Sequence, residues 1–141
     1  MNWLERTELL IKEEGIQKLQ NARVLIVGLG GVGGSAAEFI TRAGIGNLTI
    51  VDGDVVSVTN INRQLPALHS TIGKPKTEVV AERLLDINPA LNLTVINEFL
   101  SPERAWDIVT PDYDYVIDCI DSITPKLNLI LSSKRKRVKI V

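Results

Sequence analysis

The sequence predicts an α/β fold, a mostly parallel sheet with helices on both faces. Three observations carry that expectation. Short, β-branched apolar segments alternate along the chain with segments of helical periodicity, the order of parallel strands joined by crossover helices. A glycine cluster stands between the first of these strands and the helix after it, and an acid, Asp52, closes the next strand. The chain has 141 residues, 45% of them hydrophobic, and a formal net charge of −1. That is enough for one domain with a real core, and it excludes a disordered chain. The bulk charge gives no sign of a nucleic-acid binder, although a local basic face is compatible with it.

Taken in order, residues 1–22 form an N-terminal helical segment ahead of the main domain, residues 23–141. Leu9, Leu10, Ile16 and Leu19 recur at helical spacing over 5–20, interrupted by Gly15, so two short helices are expected there. RVLIV (23–27) and NLTIV (47–51) read as buried strands, and small residues from Gly34 to Ala37 let a helix over 32–43 pack closely on a sheet. KTEVVAERLLDI (76–87) is a helix stopped by Asn88-Pro89, and LNLTVIN (91–97) is a third strand. Ser101-Pro102 opens a short helix over 102–109. YDYVIDCI (113–120) is a fourth strand, a helix covers 124–134, and VKIV (138–141) begins a fifth. The sequence ends within that strand, so a piece of a longer protein is expected.

Gly28, Gly30, Gly31 and Gly33 fit G-x-G-x-x-G between a strand and a helix. There, glycines permit a tight turn and let backbone N–H groups approach a phosphate at the helix N-terminus. Asp52 ends the following strand, where an acid accepts ribose hydroxyls. A bare βα turn needs no such acid, so a Rossmann-like nucleotide site is the expectation.

Which nucleotide depends on the charges that follow. A dinucleotide's pyrophosphate can be satisfied largely by the glycine turn. A triphosphate calls for Arg and Lys partners and a carboxylate-held magnesium ion. Arg63, Lys76 and Asp121 form such a set, with Asp118 and Asp121 at the end of the fourth strand. A nicotinamide-dependent dehydrogenase would leave them unexplained. A non-catalytic binding module remains the alternative of another class.

The combination of Gly28-x-Gly30-Gly31-x-Gly33, Asp52, Asn60-x-x-Arg63-Gln64, Lys76 and Asp118-Cys119-x-Asp121 resembles the superfamily of ATP-dependent adenylating enzymes related to ubiquitin activators and to the bacterial ThiF, MoeB and HesA proteins. The resemblance implies an incomplete adenylation domain with an ATP·Mg²⁺ site. It assigns Asp52 to ribose, Asn60, Arg63 and Lys76 to the phosphates, with Gln64 beside them, and Asp121 to the metal. It also implies a homodimer in which an N-terminal arginine, here Arg6, reaches the partner's ATP. RTELLIKEEGIQKLQNARVLIVGLGGVGG, VTNINRQLPAL and VIDCIDSITPK are similar in detail to the tRNA threonylcarbamoyladenosine dehydratases, the TcdA or CsdL group. Ser122 follows Asp121 where activators of sulfur-carrier proteins usually have Asn, and Pro125-Lys126 stands shortly after, as in the dehydratases. The implied substrate is a tRNA whose modified adenosine is cyclised through adenylation of its carboxylate. Activation of a sulfur-carrier or ubiquitin-like protein is the second enzymatic reading, and a sulfur-transfer protein is a further implied partner.

The chemistry asks for positioning and charge neutralisation, and the sequence offers no Ser-His-Asp set. Cys119 lies within an apolar strand and reads as a core residue, and His69 as a surface one. Lys134-Arg135-Lys136-Arg137 complements a helix C-terminus or touches tRNA phosphates. Trp3 and Trp106 are too isolated for base stacking. Gly34 occupies a place where many relatives carry Ser, a change the turn is expected to tolerate. No run approaches the ~20 apolar residues of a membrane helix, no signal-peptide pattern opens the chain, and one cysteine excludes an internal disulfide. A cytoplasmic protein without a membrane partner is the expectation.

Overall fold

The computed structural model describes residues 2–141. Its strands are β1 (Arg23–Val27), β2 (Asn47–Val51), β3 (Asn92–Ile96) and β4 (Tyr115–Asp118). They form one parallel sheet in the order β3-β2-β1-β4. The chain winds outward from β1 in one direction, then returns to its other side, which makes the end of β1 a topological switch point. Val27 is in register with Val51 and with Asp118, and Val51 with Ile96, so every strand ends at one sheet edge.

Both faces of the sheet are covered, which is why β1 and β2 read as continuous apolar runs. On one face α2 (Gly31–Ala43) and α3 (Lys76–Ile87) place Ala37, Val80 and Leu84 on Val24, Ile26, Leu48 and Ile50. On the other, α4 (Pro102–Ile108) and α5 (Ile123–Arg135) place Ile108 and Leu129 on Leu25, Val27, Val51 and Val116. Ser101 caps α4 by accepting the Arg104 N–H at 3.1 Å, and Pro102 follows as its first residue.

The N-terminal segment is broken elsewhere than expected. α1 (Glu5–Asn21) bends at Lys12, whose φ of 63° and ψ of 172° interrupt the helix, while Gly15 stays helical. A side chain at Gly15 would meet Ile11, whose Cβ lies 2.7 Å from the site of the missing Cβ. Glycine here makes room for a neighbour instead of ending the helix. The bend lets Ile16 reach a buried position and Leu19 pack on the α2 face of the core.

The fourth strand is shorter than the expected 113–120. Before it, Asp114 donates its N–H to Arg23 O at 2.8 Å, part of the entry turn; after it, Cys119 packs on the glycine turn. Residues 138–141 pair with β4 in parallel through a bridge between Val116 and Ile140, the beginning of the expected fifth strand.

Candidate active site

The site begins where β1 stops. Gly28 has φ +95°, and a Cβ there would lie 2.4 Å from the carbonyl oxygen of Cys119. Only glycine takes this conformation in so close a contact. A Cβ on Gly33 would lie 1.6 Å from Gly28 O, so Gly33 works behind the turn, letting α2 press against it, and does not line the cleft. Gly30 and Gly31 do line it. Gly30 caps α2 without a side-chain bond, and the first turn of α2 carries no acid, so its unpaired N–H groups are open to an anion.

Asp52 braces this turn. Its Oδ2 accepts the Leu29 N–H at 2.7 Å and its Oδ1 accepts the Asp54 N–H at 2.7 Å. Each carboxylate oxygen has a second lone pair, which suits a ribose hydroxyl. From here the chain runs out and back: Val56 N–H donates to Lys74 O at 2.9 Å and Lys76 N–H to Asp54 O at 3.0 Å. That return places Lys76, 5% exposed, at the cleft with its Nζ 3.2 Å from Asp54 Oδ2.

The excursion between them carries Asn60, Arg63 and Gln64. Arg63 is exposed in the cleft wall, its Nη1 donating to Thr59 O at 3.1 Å and to Asn62 Oδ1 at 2.9 Å. Gln64 is buried against Gly30, with its Oε1 lacking a hydrogen-bond partner. Asn60 sits apart from its expected company. It is buried in a 3₁₀ turn (Val58–Asn60), outside the cleft lining, with Oδ1 accepting the Ser57 N–H at 2.9 Å. Its carbonyl accepts the N–H groups of Arg63 and Gln64 at 3.1 and 2.9 Å. Its visible work is to present those two residues.

On the β4 side, Asp121 is exposed and lines the cleft beside Ser122 and Pro125. Asp118 does not line it; its carboxylate accepts the Ile120 N–H at 3.0 Å and a hydrogen bond from Lys126. Cys119 is half-buried at the base of the cleft, and burial, then the Asp118 charge, push its thiol above the ordinary range. A thiol held protonated there is a poor nucleophile. Arg6 lies on the exposed side of α1, outside its own chain's cleft.

Those of these residues that line it surround a cleft of about 570 Å³ at the sheet's C-terminal edge, a size suited to a nucleotide. Val27, Val51, Phe99, Leu100 and Ile120 provide apolar walls, and Arg63 and Lys76 provide cations. Among the described residues, no three His, Cys, Asp or Glu side chains converge as a metal cage. A magnesium ion needs no such cage when phosphates complete its shell; of the four carboxylates that line the cleft, Asp52, Asp54, Glu98 and Asp121, the exposed Asp121 on the β4 side fits that arrangement. Sequence reasoning passed over Asp54 and gave Lys126 no role beyond the resemblance. The pairing of Lys76 with Asp54 spans an excursion of more than twenty residues, which periodicity does not register. His69 is exposed, as expected, and Lys136 lies 4.1 Å from the Trp106 ring centroid. No helix among the described residues is long and apolar enough to cross a membrane.

Comparison with known proteins places the cleft in context. Residues 4–139 match the ThiF family. The chain is 45% identical over 132 residues to the tRNA threonylcarbamoyladenosine dehydratase of Haemophilus influenzae, covering 94% of this chain and 51% of that protein. A solved structure of the Escherichia coli tRNA threonylcarbamoyladenosine dehydratase, TcdA, superposes with a TM-score of 0.95 at 42% identity, covering 99% of this chain and 58% of that one. The same enzyme in complex with ATP superposes with a TM-score of 0.93 at 42% identity, covering 96% and 56%. The Escherichia coli molybdopterin-synthase adenylyltransferase is 38% identical over 116 residues, 82% of this chain and 46% of that protein. The chain thus spans about half the length of the curated dehydratases it matches, 51% to 56%.

Proposed function

This chain belongs to the ThiF family, and from that premise we propose that its protein is an ATP-dependent tRNA threonylcarbamoyladenosine dehydratase. The observation that carries the proposal is the convergence at one sheet edge of the glycine turn, Asp52, Arg63, Lys76 and Asp121. The turn and the start of α2 receive phosphate oxygens, and Arg63 and Lys76 neutralise charge that a dinucleotide would not bring. Asp52 takes the ribose. Asp121 is the carboxylate that would hold a magnesium ion, whose charge would offset that of the triphosphate. Arg6 is read as reaching the ATP of a second subunit in a homodimer.

The proposed reaction is that of a carboxylate-adenylating dehydratase, and these placements suit it. The threonyl carboxylate of the modified adenosine attacks the α-phosphorus of ATP in line, and pyrophosphate leaves. The neighbouring carbamoyl group then attacks the acyl carbon of the adenylate, the ring closes and AMP departs, so the RNA loses one water in all. Arg63 and Lys76 act by position and charge, which is what phosphoryl-type transfer mainly requires. The apolar walls limit water that would hydrolyse the adenylate. A cytoplasmic enzyme, working where its tRNA substrate is found, is part of this reading.

Support for this reading over carrier-protein activation comes from the match to the dehydratases, which covers more of this chain than the matches to the adenylyltransferases, and from the run Ser122-Ile123-Thr124-Pro125-Lys126, whose Ser122 and Pro125 line the cleft. The test is nucleoside analysis of tRNA after incubation of the full-length protein with ATP. Conversion of threonylcarbamoyladenosine to its cyclic form is expected. Absence of conversion, with pyrophosphate exchange that responds to a carrier protein's C-terminus, would instead support the adenylyltransferase reading and its sulfur-transfer partner.

A further inference from the structure

Asp121 is exposed at the cleft lip, so its distance from the glycine turn depends on how its loop is held. On the inner side, Cys119 N–H donates to Val27 O at 2.9 Å, and Cys119 abuts Gly28. On the outer side the anchor is Asp118. Its side chain is 9% exposed, its backbone N–H donates to Val141 O at 2.8 Å, and its Oδ1 accepts the Ile120 N–H at 3.0 Å. Its other oxygen accepts from Lys126, 36% exposed, on the first turn of α5. That is an odd place for a cation. The positive end of a helix disfavours one, and this turn has neither an acid nor a side-chain cap to offset it. Asp118 supplies the compensation and ties α5 to the loop in doing so.

We propose that the Asp118–Lys126 pair is a positioning device for Asp121, fixing residues 119–122 between α5 and the glycine turn so that the cleft carboxylate meets a metal–nucleotide complex in register. The inference rests on the ATP·Mg²⁺ reading above. It identifies Lys126 as a positioning residue that never touches the nucleotide.

Charge and position predict opposite signs, which makes the proposal testable. Removing a cation near Asp121 would by charge alone strengthen divalent binding, whereas loss of positioning weakens it. Mn²⁺ binding to the full-length protein, with a non-hydrolysable ATP analogue present, can be followed by electron paramagnetic resonance. Lys126→Met is expected to lower Mn²⁺ affinity about tenfold or more, and Lys126→Arg to restore most of it. Asp118→Asn should weaken binding similarly, with the double variant no worse than either single one, because both remove one tie. Analogue affinity in chelator should stay at the parent's value. Unchanged or tighter Mn²⁺ binding in Lys126→Met overturns the proposal. So does an equal loss of analogue affinity in chelator, which would mean general loosening of the lip. If the parent protein itself binds the analogue without any help from Mn²⁺, the metal assignment of the proposed function falls, and this inference with it.

Discussion

Two buried charges in this molecule are handled in opposite ways. Glu38 on α2 is met from both sides: Oε1 accepts from Arg42 Nε and Arg83 Nη2, each at 3.0 Å, and Oε2 from Arg83 Nε at 2.5 Å. Lys76 on α3 has a single carboxylate, Asp54, whose side chain is 54% exposed. An ammonium has three donors, so Lys76 keeps capacity facing the cleft. The first arrangement fastens α3 to α2; the second holds a charge ready for a ligand. The contrast distinguishes fold from function more sharply than burial does, since both groups are buried.

The largest expected effect tests the second charge. Lys76→Met should lower ATP–pyrophosphate exchange about 10²- to 10³-fold, the scale for losing one charge-stabilising donor. Its unfolding free energy should change by no more than about 1 kcal/mol, because the partner left behind is half in water. A stability loss comparable to the activity loss would break the comparison. Glu38→Gln should do the reverse. Loss of a fully buried ion pair costs about 3–5 kcal/mol, and with both arginines half exposed we expect about 2 kcal/mol in denaturant unfolding. Nucleotide affinity should stay at the parent's value.

Acid sharpens the same point. The hydrogen bond from Arg83 is the chief cause that holds the Glu38 carboxyl below its usual range, assisted by Arg42 against the cost of burial. The unfolded chain therefore takes up this proton at higher pH than the folded one. The contribution is full above the ordinary glutamate value, about 4.3, and is lost as pH falls through the lower folded value. The denaturant midpoint should drop as pH is lowered through that window, and more steeply in the parent than in Glu38→Gln. Parallel slopes would remove Glu38 from the account.

How much of this was legible in the sequence divides along the same line. β1 and β2 fall where their apolar runs predict, since burial on both faces writes itself into residue type. Gly28 and Asp52 were legible because a tight turn and an acid at a strand end leave few chemical alternatives. What a side chain holds was not. Gly15 suggests a break that the chain makes at Lys12, and the close approach of Ile11 to Gly15 depends on that bend, which no residue type announces. Asn60 reads as a phosphate ligand, yet it lies outside the cleft lining with its Oδ1 held by the Ser57 N–H. The pairings of Asp54 and Lys126 gave no local signal, although Lys126 stands in a segment that carries the resemblance, since each gains its meaning from a partner brought close by the crossover or the helix start.

The smallest expected effect concerns Asp54, and its sign carries the information. Asp54→Asn keeps an oxygen able to accept from Lys76 but removes the charge. The ligand-free protein should lose about 1 kcal/mol, the upper range for a half-exposed partner. Nucleotide should restore that loss, because a ligand that binds only the folded state stabilises it. Meanwhile metal-free ATP, which no longer competes with a carboxylate for Lys76, should bind about threefold tighter, a gain that shrinks with added salt. Isothermal titration in chelator measures it. Weaker binding would mean that Asp54 contributes to the nucleotide site directly, and Lys76 would then be one half of a fixed pair rather than a charge held in reserve.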